Sequence, residues 1–187
     1  MHVGVLAVQG DFEKHIHSLQ SLETPPHTSE VRTVEDLSLV DRLIIPGGES
    51  TTVGLLLQRY GLAEAIQVRA EEGMPIWGTC MGMIMLASKV EGRVQFSLGL
   101  LNITVRRNAF GAQVHSFEAP VEMKGLQEPV LGVFIRAPIV TELDSQVEIL
   151  ATYDDKVVAV RQGNILGTSF HPELTEDTRL HDWFCKI

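Results

Sequence analysis

The sequence predicts an α/β domain with a mainly parallel sheet, because short apolar runs alternate with amphipathic stretches along the chain. Residues 3–8 (VGVLAV) form an almost continuous apolar run, which is typical of a strand covered on both faces. Residues 43–45 (LII) form a second such run, which Pro46-Gly47-Gly48 ends. Residues 76–79 (IWGT) predict a third strand, which leads directly into Cys80.

The amphipathic stretches between these runs predict helices. Residues 12–22 carry apolar side chains at helical spacing, and the breaker cluster at 24–29 ends that helix. Any strand at 30–34 is weak and peripheral. Further helices are predicted at 51–59, 62–72 and 81–89, and a short one closes the chain after Thr175. The second half is richer in strand signals, at 98–105, 130–135, 147–153, 157–160 and 165–170.

Length and composition are those of a single soluble domain spanning residues 1–187, with 44% hydrophobic and 21% charged residues. The net charge of −9 argues against a nucleic-acid binder, which normally shows a basic excess. No apolar stretch approaches the roughly 20 residues that a membrane span needs. The two cysteines, Cys80 and Cys185, favour a reducing, cytoplasmic setting with free thiols, although one bridge between them is the alternative.

The segment Gly78-Thr79-Cys80-Met81-Gly82 has the pattern of a nucleophile elbow, G-x-C-x-G in place of G-x-S-x-G. A predicted strand leads in and a predicted helix leads out, and a tight turn between them requires small neighbours. The N-terminus of the following helix favours a thiolate, which is the nucleophilic form of cysteine. The alternative interpretation is a buried structural cysteine.

The segment Ser169-Phe170-His171-Pro172-Glu173 also follows a predicted strand. Ligands of open α/β sheets bind at the carboxyl ends of the strands, where His171 and Glu173 are expected. A histidine there can serve Cys80 as general base and the leaving amine as general acid. A carboxylate two residues on can orient the imidazole. The alternative is an ordinary surface turn.

The third segment, residues 46–52 (PGGESTT), follows the strand at 43–45. Its two glycines allow backbone N–H groups to form an anion nest, which can hold a carboxylate or a developing oxyanion. The alternative is a plain turn whose Ser50 or Thr51 caps the next helix. Because all three segments follow predicted parallel strands, we expect them to meet at one edge of the sheet.

The other polar residues give weaker signals. His15 and His17 lie two positions apart on a predicted helix and point in different directions, and the remaining histidines show no metal-ligand spacing. We therefore expect no metal and no cofactor. Arg106, Arg107 and Arg136 end apolar runs, where a guanidinium can pair with a substrate carboxylate, although most such arginines are surface residues.

Five segments, LIIPGGESTT, GTCMG, RRNAFGAQVHSFE, VFIRAP and SFHPELTED, together resemble the glutaminase subunits of pyridoxal 5'-phosphate synthase, within the class I (triad) glutamine amidotransferases. The resemblance covers nearly the whole chain. GTCxG and HPE occur across the superfamily, whereas PGGESTT, RNAFG and FIRAP are specific to this subunit. The resemblance implies a flavodoxin-like three-layer α/β/α sandwich. It also implies hydrolysis of L-glutamine to L-glutamate and ammonia.

In that family the ammonia passes to a separate synthase subunit, a (β/α)8 barrel that builds the vitamin B6 cofactor. Carried over by motif, Cys80 is the nucleophile, His171 the base and acid, and Glu173 the orienting carboxylate. The implied glutamine-binding residues are Gly48, Glu49, Ser50, Arg107, Ile135 and Arg136. The backbone N–H groups of Gly48 and Met81 are the implied oxyanion hole, which is expected to assemble only when the synthase docks near Gln9-Gly10.

The chain departs from the family pattern at a few positions. Met81 replaces the usual small alanine after the nucleophile, and Arg106, Ala112 and His115 replace residues of the ERNxFGRQVxSFE pattern. Three other functions fit part of the sequence. One is the glutaminase of another amidotransferase, such as imidazole glycerol phosphate synthase, and the second is a non-catalytic docking protein on the same fold. The third is a thiol hydrolase or redox protein with a cysteine elbow, which would not need the HPE or GGES segments.

Overall fold

The computed structural model describes residues 1–110 and 116–187, in which strands and helices alternate through the first half. The strands are β1 (His2–Leu6), β2 (His27–Val31), β3 (Arg42–Ile45), β4 (Ile76–Thr79), β5 (Ala87–Val90), β6 (Leu101–Arg106), β7 (Ser116–Val121), β8 (Val130–Ile135), β9 (Ile139–Leu143), β10 (Glu148–Tyr153), β11 (Lys156–Gln162) and β12 (Ile165–Thr168). The helices are α1 (Phe12–Gln20), α2 (Val34–Ser38), α3 (Ser50–Arg59), α4 (Leu62–Glu71), α5 (Met81–Leu86) and α6 (Arg179–Cys185), with a 3-10 turn at Pro172–Leu174.

The centre of the main sheet is parallel, in the order β2–β1–β3–β4–β12. Strands β11, β9 and β6 extend it with antiparallel pairs, and β5 closes that side parallel to β6. Strand β10 pairs with β11, and β7 and β8 form a separate antiparallel ribbon. The parallel core with one strand order reversal is that of flavodoxin-like folds, as predicted.

Apolar side chains cover both faces of the sheet. On β3, Leu43 and Ile45 pack into a cluster with residues of α2, α3, α4 and α5, whereas Ile44 faces the opposite cluster. That second cluster contains Leu19 of α1, Phe184 of α6 and the inner side of the β7–β8 ribbon. The sheet therefore lies between two covering layers, which confirms the predicted three-layer sandwich.

Some predicted elements differ from the observed ones. The edge strand lies at His27–Val31 rather than 30–34, directly after Pro26, and pairs in parallel with β1. The helix predicted at 81–89 was too long: it ends at Leu86, and β5 follows at once. All six residues of α5 are buried, so the apolar run showed no period that would separate helix from strand. Helix α2 and strands β7 and β9 were not predicted.

The parallel strands deliver their C-terminal loops to one edge of the sheet. The loop at 8–11 follows β1, the loop at 46–49 follows β3, Cys80 follows β4, and residues 169–173 follow β12. No helix in the described part of the chain is both long and apolar enough to cross a membrane.

Candidate active site

Cys80 occupies the tight turn between β4 and α5. Its backbone adopts φ 51° and ψ −105°, a positive φ that non-glycine residues rarely take and that is often found at functional sites. The Cys80 N–H donates to the carbonyl of Thr168 on neighbouring β12, at 2.7 Å. The thiol points at the carbonyl oxygen of Ile135, which lies 3.8 Å from Sγ. The predicted elbow is therefore present, with its side chain at the sheet edge.

The two glycines of the elbow allow the turn to fit against its neighbours. A Cβ on Gly78 would lie 2.4 Å from the backbone of Gly82, and a Cβ on Gly82 would lie 2.0 Å from the carbonyl oxygen of Ile45. Both positions therefore exclude any side chain, which explains the small residues two positions either side of Cys80.

We expect Gly82→Ala to destabilise the protein by about 3 kcal/mol, because its new methyl group would meet rigid backbone of β3. Gly54→Ala is the matched control, since Gly54 also lies in a helix and its added Cβ would meet only the Phe96 side chain and its carbonyl, at 3.3 Å or more. Urea unfolding of both variants measures the difference. Equal free energies of unfolding would contradict the packing argument.

His171 and Glu173 lie beside the elbow at the end of β12. The His171 N–H donates to the carbonyl of Val133 at 2.8 Å, and the 3-10 turn at Pro172–Leu174 folds the chain back. As a result the imidazole Nδ1 lies 2.7 Å from Glu173 Oε1. Glu173 is buried, at 4% exposure. With Nδ1–H donating to the carboxylate, Nε2 is left for the thiol.

The charges of this group stabilise one another. Burial alone would lower the pKa of His171, but hydrogen bonds to Cys80 and Glu173 outweigh it and raise the pKa to about 10. Burial alone would raise the pKa of Glu173, but the interactions with His15 and His171 outweigh it and lower the pKa to about 2. At neutral pH the site therefore holds a protonated imidazole next to a carboxylate.

The glycine loop packs directly against this group. A Cβ on Gly47 would lie 2.4 Å from Cε1 of His171, and a Cβ on Gly48 would lie 2.6 Å from Oε1 of Gln9. The Glu49 N–H donates to that same Gln9 oxygen at 2.9 Å. The loop is thus held from outside by the side chain of Gln9.

Glu49 also caps helix α3. Its carboxylate accepts hydrogen bonds from the N–H groups of Thr51 and Thr52, at 3.1 and 2.8 Å, and Arg107 lies 3.9 Å away. These backbone hydrogen bonds lower the pKa of Glu49 to about 2. The alternative interpretation of this segment gives the cap to Ser50 or Thr51, but the capping side chain in the structure is Glu49.

One cavity of about 330 Å³ joins these features. It is lined by Gln9, Gly48, Glu49, Ser50, Cys80, Met81, Ile84, Arg107, Asn108, Ile135, Arg136 and His171. The structure thus places all the predicted glutamine-binding residues around the thiol, while Glu173 lies behind His171. Ile84 and Asn108 were missed, although Asn108 belongs to the RNAFG motif. Asn108 and Arg136 have φ of 50° and 47°, strain of the kind found at binding sites.

The departures from the family pattern fall in different places. Met81 is 2% exposed, lines the cavity and begins helix α5, so its N–H has no partner inside the helix. Arg106 pairs with Glu91 at 2.8 Å on the surface. Ala112 and His115 lie outside the described residues. Across residues 1–110 and 116–187, no group of three His, Cys, Asp or Glu residues is placed to hold a metal ion.

Comparison with known proteins identifies the family. Residues 5–187 match the SNO glutamine amidotransferase family. The chain belongs to this family. Membership makes the chain a glutaminase.

The similarity to known relatives covers almost the whole chain. The chain is 57% identical to "Pyridoxal 5'-phosphate synthase subunit PdxT" of Herpetosiphon aurantiacus, over 98% of both chains. It is 50% identical to the subunit of the same name from Moorella thermoacetica, over 100% of this chain and 99% of that one.

Solved structures agree on the amidotransferase fold. A crystal structure of a glutamine amidotransferase superposes with a TM-score of 0.93 at 49% identity, covering 98% of this chain and 97% of that one. The structure of PurLQS from Thermotoga maritima has a TM-score of 0.71 at 18% identity, covering 99% and 97%, and shares the fold.

Proposed function

We propose that the chain, acting as one domain over residues 1–187, hydrolyses L-glutamine with the triad Cys80, His171 and Glu173 and delivers the ammonia to the (β/α)8-barrel subunit of a pyridoxal 5'-phosphate synthase. The observation that carries the proposal is that Cys80 and His171 meet the glycine loop in one cavity, with Glu173 held against His171 from behind. Two free, buried cysteines accord with a cytoplasmic setting.

The first half of the reaction forms a thioester. The Cys80 thiolate attacks the side-chain amide carbon of glutamine, and the carbonyl oxygen becomes an oxyanion. The N–H groups of Gly48 and Met81 are the proposed donors to that oxygen. Protonated His171 then gives its Nε2 proton to the amide nitrogen, and the carbon–nitrogen bond breaks with release of ammonia.

The second half restores the enzyme. Neutral His171 takes a proton from a water molecule, whose oxygen attacks the thioester carbon, and the carbon–sulfur bond breaks. The product leaves as the γ-carboxylic acid, which loses its proton to water and becomes glutamate, the sulfur returns to thiolate, and His171 is again protonated. Glu173 holds Nδ1–H throughout at 2.7 Å and stabilises the positive ring in the resting state.

The same cavity suits the α-carbon end of glutamine, which carries both an ammonium and a carboxylate group. Arg107 and Arg136 supply positive charge for the α-carboxylate, and the Glu49 carboxylate, with its low pKa, can face the α-ammonium group. The polar atoms around the thiol disfavour a purely structural or docking role. The names of the full-length relatives favour pyridoxal 5'-phosphate synthesis over the imidazole glycerol phosphate alternative.

We expect the barrel subunit to raise glutamine hydrolysis by on the order of 100-fold, the effect of supplying one oxyanion-hole donor. The physical reason is that the side chain of Gln9 packs on Gly48 and accepts a hydrogen bond from the Glu49 N–H. A docking partner can replace these contacts of Gln9 with its own. Ammonia release with and without the cognate barrel subunit measures the effect.

The control for this assay is the barrel subunit mixed with a Cys80→Ala chain, which reveals ammonia from any other source. Equal rates for the chain alone and the genuine pair would contradict the proposed partnership. Hydrolysis would then belong to the chain by itself.

A further inference from the structure

Two buried histidines lie behind the triad, and the proposed reaction uses neither. His15 is on α1 and His181 on α6, and both are 0% exposed. Their rings lie next to each other, with centroids 5.2 Å apart and an angle of 54° between the planes. The indole of Trp77 packs edge-on against both rings. A buried polar group without a partner is costly, so the hydrogen bonds of this pair require an explanation.

His15 connects the pair to the active site. Its Nε2 lies 3.4 Å from Glu173 Oε2 and 3.1 Å from the hydroxyl of Thr79, the residue before the nucleophile. Its Nδ1 lies 3.0 Å from His181 Nε2. Oε1 of Glu173 accepts the hydrogen bond from His171 Nδ1. Oε2, the other carboxylate oxygen, has no hydrogen bond of good geometry among the described residues. His15 Nε2, at 3.4 Å, is therefore close enough to interact with this second carboxylate oxygen.

The positions of the protons follow from the surroundings. Burial lowers the pKa of His15, and it lowers that of His181 to about 3, so both rings are neutral and each carries one N–H. If His15 carried its proton on Nδ1, a lone pair on Nε2 would face the Glu173 carboxylate. His181 would then carry its proton on Nδ1, which has no partner among the described residues.

The opposite assignment turns a proton, instead of a lone pair, toward the carboxylate. With the proton on Nε2, His15 directs an N–H toward Thr79 and Glu173, and its Nδ1 accepts the Nε2–H of His181. His181 Nδ1 is then an acceptor without a partner among the described residues, and the Thr79 hydroxyl accepts from His15 rather than donating to it. Because a lone pair facing a buried carboxylate is repelled by its charge, the assignment with the proton on Nε2 is the favoured one.

We propose that His15 is a positioning residue for the proposed glutaminase reaction, whose Nε2–H, fixed by His181, holds the Glu173 carboxylate on the side away from His171. This inference rests on the proposed role of Glu173. His15 lies behind the triad and acts through Glu173: it fixes the orientation of the carboxylate so that Oε1 stays aligned with His171.

Two amide substitutions separate this role from simple packing. His15→Gln places an N–H near the position of Nε2, whereas His15→Asn reaches only the position of Nδ1. With the barrel subunit present, we expect His15→Asn to lower kcat for glutamine by about 10-fold, with KM within 2-fold, because the 3.4 Å contact of the His15 N–H with the buried carboxylate is lost. His15→Gln should stay within about 3-fold of the unsubstituted chain in kcat.

Leu19→Ala is the packing control, because Leu19 is buried on the same helix but belongs to the apolar cluster. It should lower the melting temperature and leave kcat nearly unchanged. The proposal would be overturned if His15→Gln and His15→Asn had equal kcat. It would also be overturned if kcat fell in proportion to the melting temperature in His15→Gln, His15→Asn and Leu19→Ala alike.

A second measurement needs no activity, so it remains informative even if the proposed function fails. Imidazole ¹⁵N NMR of the free chain at neutral pH should show His15 and His181 neutral and protonated at Nε2. A proton on Nδ1 of His15 would overturn the proposal. No hydrolysis by the unsubstituted pair would instead overturn the proposed function and leave the NMR result standing.

Discussion

Cys80→Ala is expected to lower glutamine hydrolysis by about 10,000-fold or more, because losing the nucleophile of a triad costs about as much as losing the whole triad. Alanine fits the turn but removes the thiol that faces the cavity. The glutamine-binding groups and the glycine loop are unchanged, so glutamine binding should persist. Glutamate formation in the presence of the barrel subunit measures the rate, and calorimetry with glutamine measures the binding.

Cys185→Ala is the matched control, because it removes the other thiol. Cys185 is buried on α6, and burial raises the pKa of its thiol, which keeps it protonated and unreactive. This variant should hydrolyse glutamine at the normal rate. Glutamate formation by Cys80→Ala within 10-fold of the normal rate would remove Cys80 from its proposed role.

The site was more predictable than the elements around it. G-x-C-x-G, HPE and PGGES are short local patterns, and each follows a strand of the parallel sheet, so topology alone brings their loops together. Gly78 and Gly82 are required because any side chain there would collide within the turn or with β3. The sequence shows this requirement as two glycines placed two positions either side of Cys80.

The less predictable parts depend on contacts between distant residues. Strand β5 exists because residues 87–90 pair with β6, and nothing local separates it from α5. Likewise the sequence shows His15 only as a poor metal pair with His17, two positions away, and as one of several histidines without metal-ligand spacing. Its partners in the structure are Thr79, Glu173 and His181, all far along the chain. Neither the pairing of β5 with β6 nor the contacts of His15 leave a periodic signal in the sequence.

Glu173→Gln is expected to lower kcat by on the order of 10,000-fold, the effect that follows loss of the triad carboxylate in a serine protease. The amide keeps the shape but carries no charge, and its NH₂ group can turn toward His171 Nδ1 and force the proton onto Nε2. A ring with that tautomer cannot act as the base toward Cys80 or water. Steady-state hydrolysis with the barrel subunit measures kcat, and Glu176→Gln, an exposed position three residues on, is the control.

The same variant tests whether Glu173 is ionised in the folded protein. Its pKa of about 2 lies below the ordinary 4.5, so its charge contributes stability that is complete above pH 4.5 and is lost as the pH falls through 2. That contribution is on the order of 3 kcal/mol. The difference in free energy of unfolding between the unsubstituted chain and Glu173→Gln should therefore be constant from pH 5 to 6 and shrink between pH 4.5 and 2. A difference that does not change with pH would mean that Glu173 is already neutral, and then it could not stabilise a protonated His171.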